Sequence, residues 1–207
     1  MVCLMVAPEP LNNIDSAPET ATGARPLRIF VALRIAPDIA LALAQYGRDL
    51  EQYSVRLVAP ADIHLTLVPP WNEISLPNTI AKLRRVADTC VAFTLTVRHI
   101  GYGPESRHPR FLWAECIASN DLAEFRAALL RAFGQADERP FRPHVTLARL
   151  HDKGRAIARK HPLDQILALT ERIESIELMQ SPPPGGGGYK VLASVPLGGN
   201  RELPSGA

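Results

Sequence analysis

The sequence predicts an α+β fold of two pseudo-symmetric lobes, each an antiparallel sheet with helices on its outside, meeting at a central cleft. Three observations predict it. A strand–turn–helix unit is written twice, as "RIFVALRIAPDIALALAQY" and "RFLWAECIASNDLAEFRAAL". Each unit leads to an apolar, strand-like run carrying His-x-Thr, first "IHLTLV" and then "PHVTLARL". The intervals agree, with 36 residues from Arg28 to His64 and 34 from Arg110 to His144. Self-similarity at a fixed interval marks a repeated structural unit. Two such units should pack about a pseudo-twofold axis, with equivalent strands and their histidines facing each other.

The elements follow in order. Residues 1–25 are rich in Ala, Pro, Thr and Asn without periodicity, and they read as a disordered leader. Residues 26–198 read as a single two-lobed domain, and 199–207 as a loose tail. "LRIFVALRI" is a buried strand by its continuous apolar run. In the next segment Ile39, Leu43, Tyr46, Leu50 and Tyr53 recur at helical spacing, and Pro37 suits a first turn. "VRLV" and "IHLTLV" are strand-like. "PNTIAKLRRVAD" is a short helix with Ile80, Leu83 and Ala87 inward. "VAFTLTVRHIGYG" and "RFLWAECIA" are strands. The next helix places Leu122, Phe125, Leu129 and Phe133 on one face, with Asn120 as N-cap and Gly134 as its stop. "AIARKHPLDQILAL" reads as a weakly helical connection. "RIESIELMQS" and "YKVLASVPL" form a closing strand pair around a mobile "PPPGGGG" loop.

Composition narrows the function. The 207 residues are 46% hydrophobic and 21% charged, with net charge +2. Such a balance does not coat an extended polyanion, yet it leaves room for a small phosphate ligand. Cys3, Cys90 and Cys116 form no Cys-x-x-Cys pair or disulfide framework, so a reducing, cytoplasmic compartment is expected. No apolar run approaches a membrane span, and "MVCLMVAPEP" lacks the basic start and apolar length of a signal peptide.

The paired motif carries the chemistry. On a strand, residues i and i+2 share a face, so His64 projects with Thr66, and His144 with Thr146. Imidazole has a reference pKa of about 6.5 and can give or take a proton near neutrality. One histidine on each side of a phosphorus permits in-line displacement, one taking the nucleophile's proton and the other protonating the leaving oxygen. Threonine hydroxyls can donate to the non-bridging oxygens as they gain charge. No metal or other cofactor is required. A lone His-x-Thr is most often a hydrogen-bonded strand residue; two at matching places in matching runs point to a site. The two histidines are chemically alike by this reading, and their roles stay open.

The arrangement resembles the 2H phosphoesterase superfamily, marked by two His-x-Thr/Ser motifs, and within it the RNA 2′,3′-cyclic phosphodiesterases, formerly called 2′-5′ RNA ligases. The likeness spans about residues 27–198. "RIFVALRIAP" resembles the family's opening strand, "FRPHVTLARL" its second motif, and "SPPPGGGGYKVLASVPL" its closing segment. The resemblance implies hydrolysis of a 2′,3′-cyclic phosphate to a 2′-phosphomonoester, with His144 as base, His64 as acid, and roles swapped for reverse 2′-5′ ligation. It implies an RNA or nucleotide with a cyclic phosphate end as partner, with no membrane and no obligate protein partner, for a monomer. Where the family continues Phe-Leu-Gly-Glu after its first motif, this chain has "LVPPW", which alters the adjoining substrate wall. The rivals are a 2H enzyme acting on a 2′-5′ oligonucleotide or an ADP-ribose cyclic phosphate, and a binding module that holds phosphorylated ends without turnover.

Other residues are less marked. Arg149 lies five positions after His144, so on a regular strand it faces away from the histidine; the resemblance makes it a phosphate contact. Arg142 stands behind Pro143 and is a weaker candidate. Phe141, Trp71 and Tyr189 could stack on a base, though ordinary packing accounts for each singly. His99, His108, His151 and His161 read as surface or structural. The glycines of "PPPGGGG" lead to Tyr189-Lys190-Val191 and do not make a phosphate loop.

Overall fold

Ile29, Val31 and Leu33 alternate along β1 (Leu27–Arg34) and are fully buried in the main core, while Phe30 and Ala32 are buried on the opposite face. Both faces of the strand are therefore covered, which is why it reads as one apolar run. The chain, described here from a computed structural model over residues 25–105, 107–137, 139–183 and 188–198, then forms α1 (Pro37–Arg48), β2 (Arg56–Leu57), β3 (His64–Glu73) and α2 (Leu76–Ala87). The second half continues with β4 (Phe93–Gly103), β5 (Phe111–Cys116), α3 (Asn120–Ala132), β6 (His144–Arg149), α4 (Gly154–Lys160), β7 (Gln165–Ile173), β8 (Ser175–Gln180) and β9 (Lys190–Pro196). The leader expected at 1–25 (apart from Arg25), the tail at 199–207 and the centre of the "PPPGGGG" loop lie outside the described residues.

Among the described residues the strands make one antiparallel sheet in the order β7-β4-β5-β6-β3-β1-β8-β9, with β2 on β6. The order is its own mirror: β6, β5, β4, β7 run outward on one side, and β3, β1, β8, β9 on the other. The lobes are these two halves, and the His-x-Thr strands β3 and β6 lie side by side at the centre, paired at Leu65–Val145. The sequence led us to expect equivalent strands face to face across the cleft; they are neighbours in one sheet instead. Two helices cross the seam, α1 packing beneath β6 and α3 beneath β3. Leu43 of α1, Leu83 of α2 and Leu129 of α3 are fully buried with Leu65 and Val145 in the same core. Burying a leucine side chain stabilises by about 1.5–3 kcal/mol, so the seam is held mainly from below by this layer.

The local expectations need three corrections. Ser119, not Asn120, caps α3, its Oγ accepting from the Leu122 N–H at 3.2 Å; Asn120 is the first helical residue. Gly134 does end the helix, with φ +61°. The "weakly helical" connection divides: helix stops at Lys160 before Pro162, which cannot continue it, and Gln165–Ile173 is an edge strand on β4. Its Leu167 and Leu169 are half-buried between exposed Ile166, Ala168 and Thr170, a two-residue period that the helical reading missed. Finally, β3 runs through Pro69 and Pro70 to Glu73. Prolines lack the N–H a ladder needs, and they sit where the register with β1 slips between Ile29–Trp71 and Val31–Val68.

Candidate active site

The face opposite the helices carries the two histidines. Antiparallel register about Leu65–Val145 sets His64 against Thr146, and Thr66 against His144. The sequence-predicted quartet is thus brought together on one surface. Neither threonine hydroxyl has a hydrogen-bond partner among the described residues, and Thr66 is exposed while Thr146 is half-buried. Both hydroxyls are free to donate to a ligand.

The histidines are held alike. The Nδ1–H of His64 donates to the Asp62 carbonyl at 2.7 Å, and the Nδ1–H of His144 donates to the Arg142 carbonyl at 2.7 Å. A carbonyl only accepts, so each neutral ring carries its proton on Nδ1 and leaves Nε2 with a lone pair. The one-turn helix Pro60–Asp62 supplies the first carbonyl. The Asp62 carboxylate also accepts from the Tyr189 N–H at 2.9 Å. Tyr189 in turn stands edge-on to His64, with centroids 4.9 Å apart, and Phe30 lies 5.0 Å from the same ring.

On the other lobe, the counterpart wall is Trp113, whose indole centroid lies 4.4 Å from the His144 ring. The Arg142 guanidinium lies 4.9 Å from the Trp113 ring and pairs with Glu115 at 2.7 Å. Glu115 is the cross-strand neighbour of His144. Trp113 packs directly on Gly103, where a Cβ would overlap the indole ring.

Burial is the main influence on both imidazoles and pushes their pKa values below the ordinary value. For His64, the hydrogen bond to the Asp62 carbonyl and the Asp62 charge oppose this, while the Arg149 and His144 charges add to it. For His144, the bond to the Arg142 carbonyl opposes it, the Arg142 charge adds to it, and Glu115 opposes it. The site therefore favours neutral imidazole until an anion arrives.

Arg149 corrects the parity argument. The β5–β6 register slips between Leu112–Ala148 and Trp113–Thr146, leaving Leu147 as an extra residue. Leu147 and Ala148 are both buried, and Arg149 emerges exposed. A β-bulge turns the following residues over, so Arg149 returns to the histidine face, where its charge acts on His64. The same slip occurs on β3, between Val31–Val68 and Ala32–Thr66. The ladder makes Ala32 the counterpart of Trp113, one residue away from the sequence repeat, and Pro69 the counterpart of Arg149. The symmetry of the site breaks there: a guanidinium stands on one side and a proline on the other.

Of the three aromatic candidates only Tyr189 reaches the histidines. Trp71 packs on Phe133 with centroids 5.1 Å apart, and Phe141 lies 4.5 Å from the Arg126 guanidinium. Among the remaining histidines, His99 pairs with Asp164, and His161 lies 3.9 Å from Asp49. Among the described residues, no three His, Cys, Asp or Glu side chains converge as a metal-ligand set, and no helix is long and apolar enough to cross a membrane. Sequence reasoning missed Phe30, Trp113 and Glu115. Their strand positions, in step with the histidines across two ladders, were the only signal for them.

Comparison with known proteins finds relatives of the whole fold. The sequence profile of the 2′-5′ RNA ligase superfamily matches residues 29–181. A Thermus thermophilus protein named RNA 2′,3′-cyclic phosphodiesterase is 29% identical over 199 residues, covering 87% of this chain and 96% of that protein. The crystal structure of TT0787 from Thermus thermophilus superposes with a TM-score of 0.66 at 26% identity, covering 84% of this chain and all of that one. LigT from E. coli, solved in complex with NADP+, has a TM-score of 0.65 at 23% identity over 84% of this chain and 99% of its own, a likeness of fold.

Proposed function

Since the chain belongs to the 2′-5′ RNA ligase superfamily of 2H phosphoesterases, we propose that it hydrolyses a terminal 2′,3′-cyclic phosphate to a 2′-phosphomonoester by acid–base catalysis between His64 and His144. The observation that carries this is the shared presentation of the two rings. Each is anchored through Nδ1 to the carbonyl two residues before it, each keeps Nε2 free, and each has the other motif's threonine beside it.

His144 Nε2 takes a proton from water as the water oxygen bonds to phosphorus. The P–O3′ bond breaks, and O3′ takes a proton from the imidazolium of His64. Thr66, Thr146 and Arg149 hold the non-bridging oxygens, where charge builds in the transition state. Proton exchange with solvent restores the starting states. The division of roles follows the family resemblance, since at His64 the Asp62 charge opposes that of Arg149, and at His144 the Arg142 charge opposes that of Glu115. With an RNA 5′-hydroxyl in place of water as the nucleophile, the same displacement of O3′ would join ends 2′ to 5′, His144 taking the hydroxyl proton and His64 protonating O3′.

Incubation with each 2′,3′-cyclic nucleotide, followed by assignment of the phosphate position by phosphorus NMR, tests the reading. A 2′-phosphate is expected. A 3′-phosphate would reverse the leaving group. Absence of turnover on all four nucleotides and on a short RNA with a cyclic end would remove the proposal, leaving the 2′-5′ oligonucleotide, ADP-ribose cyclic phosphate or non-catalytic end-binding readings.

A further inference from the structure

Next to Arg149, the connection between β4 and β5, the adjoining ends of β5 and β6, and the start of α4 line an open cavity of about 820 Å³ whose wall includes His108, Arg110, Phe111, Arg149, His151 and Arg155. It shares Arg149 with the catalytic surface. Arg110 and Arg149 flank the Phe111 ring, their guanidinium carbons 5.8 and 5.5 Å from its centroid. Arg56 of β2 stands directly across the strand pair from Arg149. All four arginines are exposed, and among the described residues none has a carboxylate within ion-pair distance, although Glu105 and Asp152 also line the cavity. Like charges set directly opposite on neighbouring strands destabilise a sheet. A fold that keeps Arg56 against Arg149, with no internal counter-ion for either, is arranged for an external anion.

The position of the cavity says which anion. In an in-line displacement the water enters on one side of phosphorus, and the ribose, which holds the leaving O3′, lies on the other. With His144 as base and His64 as acid, the ribose lies on the His64 side. Arg149 and the cavity behind it are on that side too, because β6 runs antiparallel past His64 toward Arg149. A chain leaving that ribose through its 5′ carbon next meets a phosphodiester.

Resting on the proposed reaction, we infer that this cavity is a second phosphate site, in which Arg110 and Arg155 hold the backbone phosphate on the 5′ side of the terminal nucleoside. The preferred substrate is then an RNA chain with a cyclic end and not a cyclic mononucleotide. Guanidinium suits this task, since its planar fork matches two phosphate oxygens at once.

Length dependence of binding and turnover tests the inference. Kd is measured for a nucleoside 2′-phosphate and for a dinucleotide ending in the same 2′-phosphate, with kcat/KM for the corresponding cyclic forms, in wild type and in the double variant Arg110→Ala/Arg155→Ala. Wild type should favour the dinucleotide by roughly 10-fold or more in Kd, as expected for charge-assisted contacts to one added phosphate. Its salt dependence should steepen by about 0.7 in log–log slope. The double variant should lose most of that ratio, and circular dichroism should show it folded, since both side chains are exposed. Equal affinity for the two lengths in wild type, or a preference that survives the double substitution, would overturn the second site. Failure of catalysis alone reads differently: length-dependent binding without turnover condemns the proposed reaction and leaves the phosphate site standing.

Discussion

Leu65 pairs with Val145 across the seam of the sheet, and both side chains are fully buried below it. Their exposed-face neighbours on either side are the histidines and threonines of the two motifs. A buried apolar pair thus fixes the register on which the polar quartet depends, because a slip of one residue would turn every side chain to the other face.

Replacing His64 or His144 by Ala should lower kcat by about 10²–10⁴-fold each, the usual value of a general acid or base. Thr66→Val and Thr146→Val should cost roughly 10-fold or more, through loss of one donor to the developing charge. Steady-state kinetics on a cyclic nucleotide reads both. A folded histidine variant with near wild-type kcat would make that histidine structural.

The pH dependence of kcat/KM should be bell-shaped, its limbs belonging to the coupled pair. Burial lowers both histidines in the free protein, so the optimum should lie below that of kcat, where bound phosphate raises both. Arg149 lowers His64, so Arg149→Met should raise the pKa of His64 and carry the alkaline limb upward. Movement of the acid limb instead would exchange the acid and base assignments.

Gly103→Ala should place a methyl group into the Trp113 indole. Overpacking of this kind costs about 1–3 kcal/mol, and the displaced indole would no longer back His144. Denaturant melts should show the loss of stability, and kcat should fall with it. Full activity in the destabilised variant would mean that Trp113 does not position His144.

Acid stability should also report the histidines. Their folded pKa values lie below the ordinary imidazole value, so the unfolded chain takes up protons first as pH falls. Stability from these groups is present above about pH 6.5 and is lost as pH drops through that value toward the folded pKa values. The double variant His64→Gln/His144→Gln should show a shallower fall in Tm between about pH 7 and 5. Identical slopes in the two proteins would contradict the burial effect.

Much of this was legible in one dimension. Period-two alternation set His64 with Thr66 and His144 with Thr146, and the repetition of strand, helix and motif announced two lobes. Those are local patterns, set by backbone geometry within a few residues. Whether the motif strands face each other or lie side by side is a pairing choice among distant segments, and it was decided by packing: α1 crosses beneath β6 and α3 beneath β3, drawing the strands into one sheet. The side of the sheet on which Arg149 emerges was likewise undecided, because a bulge at Leu147 is a mismatch between two strands and leaves no mark on either alone. Trp113, Phe30 and Glu115 entered the site for the same reason. The sequence by itself determined which residues could do the chemistry; the tertiary structure decided which neighbours they have, since cross-strand register is set by the partner strand and the core beneath it.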